Sequence, residues 1–101
     1  MERGPEMTVA DDAKSVTTTA SVIVAPLTST QRANWGLDRE VTIQNLHASA
    51  TVNIGGPTVT GSRGYQLQPG GAIMLRLGYH DSLYAIGSAS ATVGILTVTG
   101  N

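Results

Sequence analysis

The chain has 101 residues, of which 13% are charged, and a formal net charge of −1 at pH 7. That length suits a single domain, and beyond Val41 the charged side chains are Arg63, Arg76 and Asp81, too few for the basic stripe that nucleic acid requires. The absence of cysteine excludes disulfides and thiolate metal sites and fits assembly in a reducing compartment. No run approaches the ~18 consecutive apolar residues of a membrane span, and the start has no apolar centre of the kind a cleaved signal needs.

The first 14 residues carry Glu2, Arg3, Glu6, Asp11, Asp12 and Lys14 with Gly4 and Pro5, and few apolar side chains. They read as an extended, flexible N-terminal arm, with the folded domain expected over residues 15–101. At Ser15 the pattern turns to period two, with Val16, Thr18, Ala20, Val22 and Val24 on one face, so one strand is predicted up to Pro26. The following segment to Arg39 reads as a long loop; Thr28 with Gln31 and a stop at Gly36 would allow two turns of helix after which Trp35 ends the element.

Strand signals then become dense. Val41 to Gln44 and Ala50 to Ile54 are two predicted strands, close enough for a hairpin through Asn45 to Ser49. Thr58 to Thr60 resumes the pattern between Gly55-Gly56-Pro57 and Gly61 to Gly64. Tyr65 and Leu67 precede a turn at Gln68-Pro69-Gly70-Gly71 that suits type II, with Pro second and Gly third. Ile73, Leu75 and Leu77 alternate with Met74 and Arg76, and Leu83 to Ile86 and Thr92 to Val98 complete the set.

With 41% hydrophobic residues but only 4% aromatic and no Phe, the core must be built from Val, Ile, Leu and Ala, a composition that favours strands. Seven or eight short strands between glycine-rich turns predict an all-β fold, a small antiparallel β-sandwich or barrel, jelly-roll-like. The last strand puts Val93 and Ile95 on one face and Leu96 and Val98 on the other, so both faces are apolar and a neighbouring subunit is expected to cover the outer one.

The order of Arg39 to Asn45 (REVTIQN), Ala50 to Gly56 (ATVNIGG), Val59-Thr60, Gly64 to Leu67, Pro69-Gly70, Leu75, Leu83 to Ile86, Val93 and Gly100 resembles small β-domain virion proteins of tailed bacteriophages, of the head-decoration or head-fibre-base type. The likeness covers roughly the last sixty residues and leaves the arm and first strand unmatched. It implies a structural role on the capsid exterior, assembled in the host cytoplasm, as an oligomer seated on the lattice of major capsid protein, with a homotrimer favoured because capsids offer three-fold positions. No catalytic or binding residue comes with the resemblance, because each matched position has a structural reason of its own.

His80-Asp81-Ser82 with His47 and Ser62 could supply a nucleophile, base and acid, but consecutive residues point in different directions, so an exposed loop is the better reading. The same histidines with Asp81 or Asp38 match no metal-ligand spacing, and the Gly-Gly pairs precede neither a helix nor a lysine, so no enzyme activity, metal, nucleotide or other cofactor is expected. Carbohydrate binding is the alternative function, with Trp35, Tyr65, Tyr79 and Tyr84 as stacking candidates on a host-adhesion module. For the capsid-binding reading, Trp35, Arg32 and Arg39 in the long loop are the expected contact residues, with the arm second.

Overall fold

The alternation of β-branched and small residues builds strands throughout. The computed structural model describes residues 7–26, 38–78 and 80–100, and these form β1 (Met7–Val16), β2 (Ser21–Val24), β3 (Asp38–Asn45), β4 (Val52–Gly55), β5 (Tyr65–Leu67), β6 (Ala72–Gly78), β7 (Leu83–Gly87) and β8 (Ala91–Gly100). No helix occurs among the described residues. The strands make two four-stranded sheets, in the orders β1-β8-β3-β6 and β2-β7-β4-β5, with every neighbouring pair antiparallel. That order is the strand order of a jelly roll, two Greek keys folded into a sandwich. The all-β antiparallel sandwich expected from the sequence is the fold observed.

Inner positions of both sheets meet in one core. Val41 and Ile43 of β3, Val93 and Ile95 of β8, Val52 and Ile54 of β4, and Leu83 and Ala85 of β7 are buried, and Ile73 and Leu75 of β6 pack against them. The period-two pattern is what separates these from the outward residues between them.

Four local expectations change. Residues 7–14, assigned to the arm, are the larger part of β1, which pairs with β8 from Met7↔Gly100 to Val16↔Ala91. Their polarity follows from an edge position: Ala10, Asp12 and Lys14 point between the sheets where the four-residue β2 is too short to cover them, so they stay exposed. Residues 1–6 of the expected arm lie outside the described residues, as does the possible short helix at 28–35. The single strand predicted from Ser15 to Pro26 is broken after Val16, where Thr19 N–H donates to Thr17 Oγ1 at 3.2 Å and the chain crosses to the second sheet.

Likewise, β3 and β4 are not a hairpin but belong to different sheets. The crossing is fixed by Asn45, fully buried, whose Nδ2 donates to the carbonyls of Ala50 (2.8 Å) and Leu67 (3.2 Å) while its Oδ1 accepts the His47 N–H (3.0 Å). Thr58 to Thr60 is not a strand; Thr60 makes an isolated bridge to Arg63, and the loop is tied down by Asn53 Nδ2 donating to the Thr60 carbonyl at 2.9 Å. The turn at Gln68 to Gly71 is as predicted: Gly70 has φ +78° and Gly71 N–H donates to the Gln68 carbonyl at 2.7 Å.

Candidate interaction site

Two of the polar side chains singled out for chemistry, His47 and Asp81, are directed at the backbone. His47 accepts the N–H groups of Ser49 (3.0 Å) and Ala50 (2.8 Å) on Nδ1, which holds the turn between β3 and β4. Asp81 accepts the Gly78 N–H on Oδ2 at 2.8 Å and so closes the turn after β6. These groups sit at opposite ends of the sandwich: Gly78 pairs with Asp38, the first residue of β3, whereas His47 follows its last residue, Asn45. Seven residue steps of strand separate the two ends by about 23 Å. Ser62 lies in the loop between β4 and β5, its Oγ 3.5 Å from Thr60 Oγ1. Among the described residues no three His, Asp or Glu side chains gather as metal ligands.

Arg39 is in β3 rather than in the loop. Its side chain is only 5% exposed, with Nη2 donating to the Asp81 carbonyl at 2.8 Å and Nε lacking an acceptor. Burial lowers its pKa from the usual arginine range, partly opposed by the nearby Asp81 carboxylate. An inward position, set by alternation with Val41 and Ile43, therefore makes Arg39 a latch on the turn after β6 and removes it as a surface contact. Trp35 and Arg32, the other two expected contact residues, lie outside the described residues. So does Tyr79, while Tyr65 is paired beside Ile54 and Tyr84 beside Gly55. Adjacent residues of β4 face opposite ways, so Tyr65 and Tyr84 do not share a sugar-stacking platform.

What the structure does bring together is an apolar surface on the outside of the first sheet. Val9 of β1, Leu96 of β8 and Met74 of β6 project there with exposures of 62, 43 and 64%, and Leu46 folds over the same face against Gly94. Outward placement of Leu96 and Val98 was legible from alternation in β8. Val9 was hidden inside the polar segment read as an arm, and Leu46 inside a stretch read as a turn.

Among the described residues, shallow recesses open at both ends of the sandwich. One of about 240 Å³ opens between β1 and β2, lined by Asp12, Lys14, Ile23, Val24, Arg39 and Ile95. The other, of about 340 Å³, lies at the opposite end among Ser15, Thr17, His47, Ser90 and Thr92. Neither gathers a charged cluster, and Asp12 and Lys14 pair with each other at 3.6 Å.

This fold has a solved counterpart. A structure from the work described as "Bacillus endospore appendages form a novel family of disulfide-linked pili" is similar over 99% of this chain and 89% of its own, with a TM-score of 0.60 and 13% identity. At that identity the likeness is one of fold. No family model and no curated protein sequence matches the chain.

Proposed function

We propose that this chain is a non-enzymatic structural subunit that decorates the exterior of a tailed-phage capsid by binding the assembled lattice of major capsid protein. The observation that carries the reading is the division of labour between side chains. Asn45, His47, Asn53 and Asp81 hold turns and crossings, whereas large apolar side chains are left on the outer surface of a sheet. Among the described residues, a protein built this way has faces to pack and no gathered group of metal-ligand side chains. The resemblance of residues 39–100 to phage head proteins supplies the partner. Jelly rolls recur in capsid proteins, which agrees with that setting.

A domain of this size offers limited area to any one capsid subunit, while stable interfaces bury about 1,200–2,000 Å² in total. Binding across lattice neighbours would multiply weak contacts by roughly 10²–10⁴ through effective concentration. The test is to incubate the purified protein with undecorated heads and, separately, with dissociated capsid protein. High occupancy on heads with weak binding to free subunits supports the proposal; absence of binding to heads sinks it.

A second reading is a self-assembling fibre subunit, favoured by the nearly full-length fold likeness to a pilus-related protein. That protein's family is described as disulfide-linked, and this chain has no cysteine. Any fibre here would therefore be held by non-covalent contacts. Filaments in electron micrographs of the concentrated protein alone, unaffected by reductant, would select this reading over decoration.

A further inference from the structure

We infer that the recess between β1 and β2 receives an aliphatic carboxylate, the group that a glutamate side chain of a partner protein presents, and that Arg39 is its counter-charge. The site rests on one buried cation rather than on a charged cluster, and it stands apart from the capsid proposal.

A guanidinium inside a protein is normally met by acceptors, because an uncompensated interior cation is strongly unfavourable. Arg39 is buried; Nη2 donates to the Asp81 carbonyl at 2.8 Å, but Nε has no acceptor. The Asp81 carboxylate does not take that place, since its Oδ2 accepts the Gly78 N–H. It attracts the guanidinium, yet burial outweighs the attraction and holds the arginine pKa below its usual value. A tie to one backbone carbonyl does not require a cation: an apolar side chain of similar length would serve the fold about as well. A donor left over on a side chain that lines a recess is better explained by an acceptor arriving from outside.

The recess defines that acceptor. Its walls include Ile23, Val24, Ala25, Pro26 and Ile95. Asp12 and Lys14 also line it but pair with each other at 3.6 Å, so Arg39 carries the unbalanced charge. Register puts Arg39 in the row of Thr8 and Thr99, and Lys14 in the row of Val93, six residues along the strand. The two cations are therefore anchored about 20 Å apart and do not share one anion. A single unbalanced charge among apolar walls fits a monoanion on an aliphatic stem, whereas a phosphate dianion would bring a second charge with nothing to meet it. A planar carboxylate also matches the fork of a guanidinium. The volume of about 240 Å³ is below the usual range of small-molecule pockets, about 300–1,000 Å³. It suits one side chain, and a side chain is held in place by the interface around it, where a free acid of that size would make too few contacts to bind well.

Nε is closed off from solvent, so seating the carboxylate requires the guanidinium to shift towards the recess, and its own NMR signal reports that shift. The test titrates the full chain with N-acetylglutamate amide, using N-acetylglutamine amide as the neutral isostere. The glutamate compound should move the Arg39 Nε–H resonance and the amides of Val24, Ile95 and Thr97 in one saturable, millimolar process. The glutamine compound should bind roughly tenfold more weakly. Arg39→Met should weaken binding by at least about tenfold while keeping a cooperative melt, and Arg39→Lys, which keeps charge but loses the fork, by several-fold. Arg63→Met, in an exposed loop, should change nothing. Should Arg39→Met fail to fold, Arg39→Lys and the isostere comparison decide. No movement at Arg39, equal binding of the glutamine compound, equal binding of inorganic phosphate, or indifference to Arg39→Lys overturns the inference. So does tighter binding of butyrate, which would give the recess to a free acid.

Discussion

Asn45 and Arg39 are buried polar residues of β3, and their environments make opposite demands. Both N–H donors of the Asn45 amide and its oxygen are engaged, so Asn45→Ala would leave two carbonyls and an N–H without these partners. At about 1–3 kcal/mol for each unsatisfied buried group, partly relieved by relaxation, a loss of about 3 kcal/mol is expected. The check is denaturant unfolding, with the midpoint falling at unchanged slope. Arg39 makes a bond through Nη2 but leaves Nε without an acceptor. Arg39→Met keeps most of the stem volume and removes a desolvated cation, so stability should stay within about 1 kcal/mol of the parent. Arg39→Ala, which leaves a void, should cost clearly more. Neither role was legible in the sequence: an Asn before a turn reads as a turn former, and an Arg beside a loop reads as exposed. Both acquire their meaning from the opposite sheet, which local spacing does not describe.

Among the elements, β1 departs furthest from its sequence. Its first residues are polar, with Asp11, Asp12 and Lys14 in four positions, and composition alone assigns them to solvent. The strand forms because β8 offers ten partners in register, from Met7 to Val16, and because a sheet edge needs only one satisfied side. Edge strands commonly carry charge, which discourages pairing with foreign chains. The strands that alternation revealed, β3, β6, β7 and β8, are those with a buried face along most of their length. Deleting residues 1–14 should therefore do more than remove a tail: it would uncover the edge of β8 and the buried Val93 and Ile95 beneath. Removal of residues 1–14 is expected to lower the melting temperature by more than about 10 °C. Hydrogen exchange gives a second reading, with protection expected at alternate amides between Met7 and Val16 in the intact chain.

At the scale of the whole molecule, the jelly-roll order makes folding a late and cooperative event. β8 is an inner strand of the first sheet, held between β1 and β3, so the chain's beginning and end must meet before that sheet exists. Pairs such as Met7↔Gly100 and Asn45↔Val93 span long stretches of sequence. Closing such loops costs entropy before any contact rewards it, and all-β folds with this contact pattern fold in about milliseconds to seconds. The same order predicts what truncation does. A chain ending at Ser90 keeps every residue of the second sheet but loses the strand that joins β1 to β3, along with Ala91, Val93 and Ile95 from the core. The two sheets share that core, so the second sheet would face water on its inner side and could not persist alone. The expected result is loss of the whole fold, read as a random-coil circular dichroism spectrum and collapsed amide dispersion for the 1–90 chain, set against a cooperative transition for the full chain. A truncated chain that keeps a cooperative melt of the second sheet would show that the two sheets fold independently, against the single shared core.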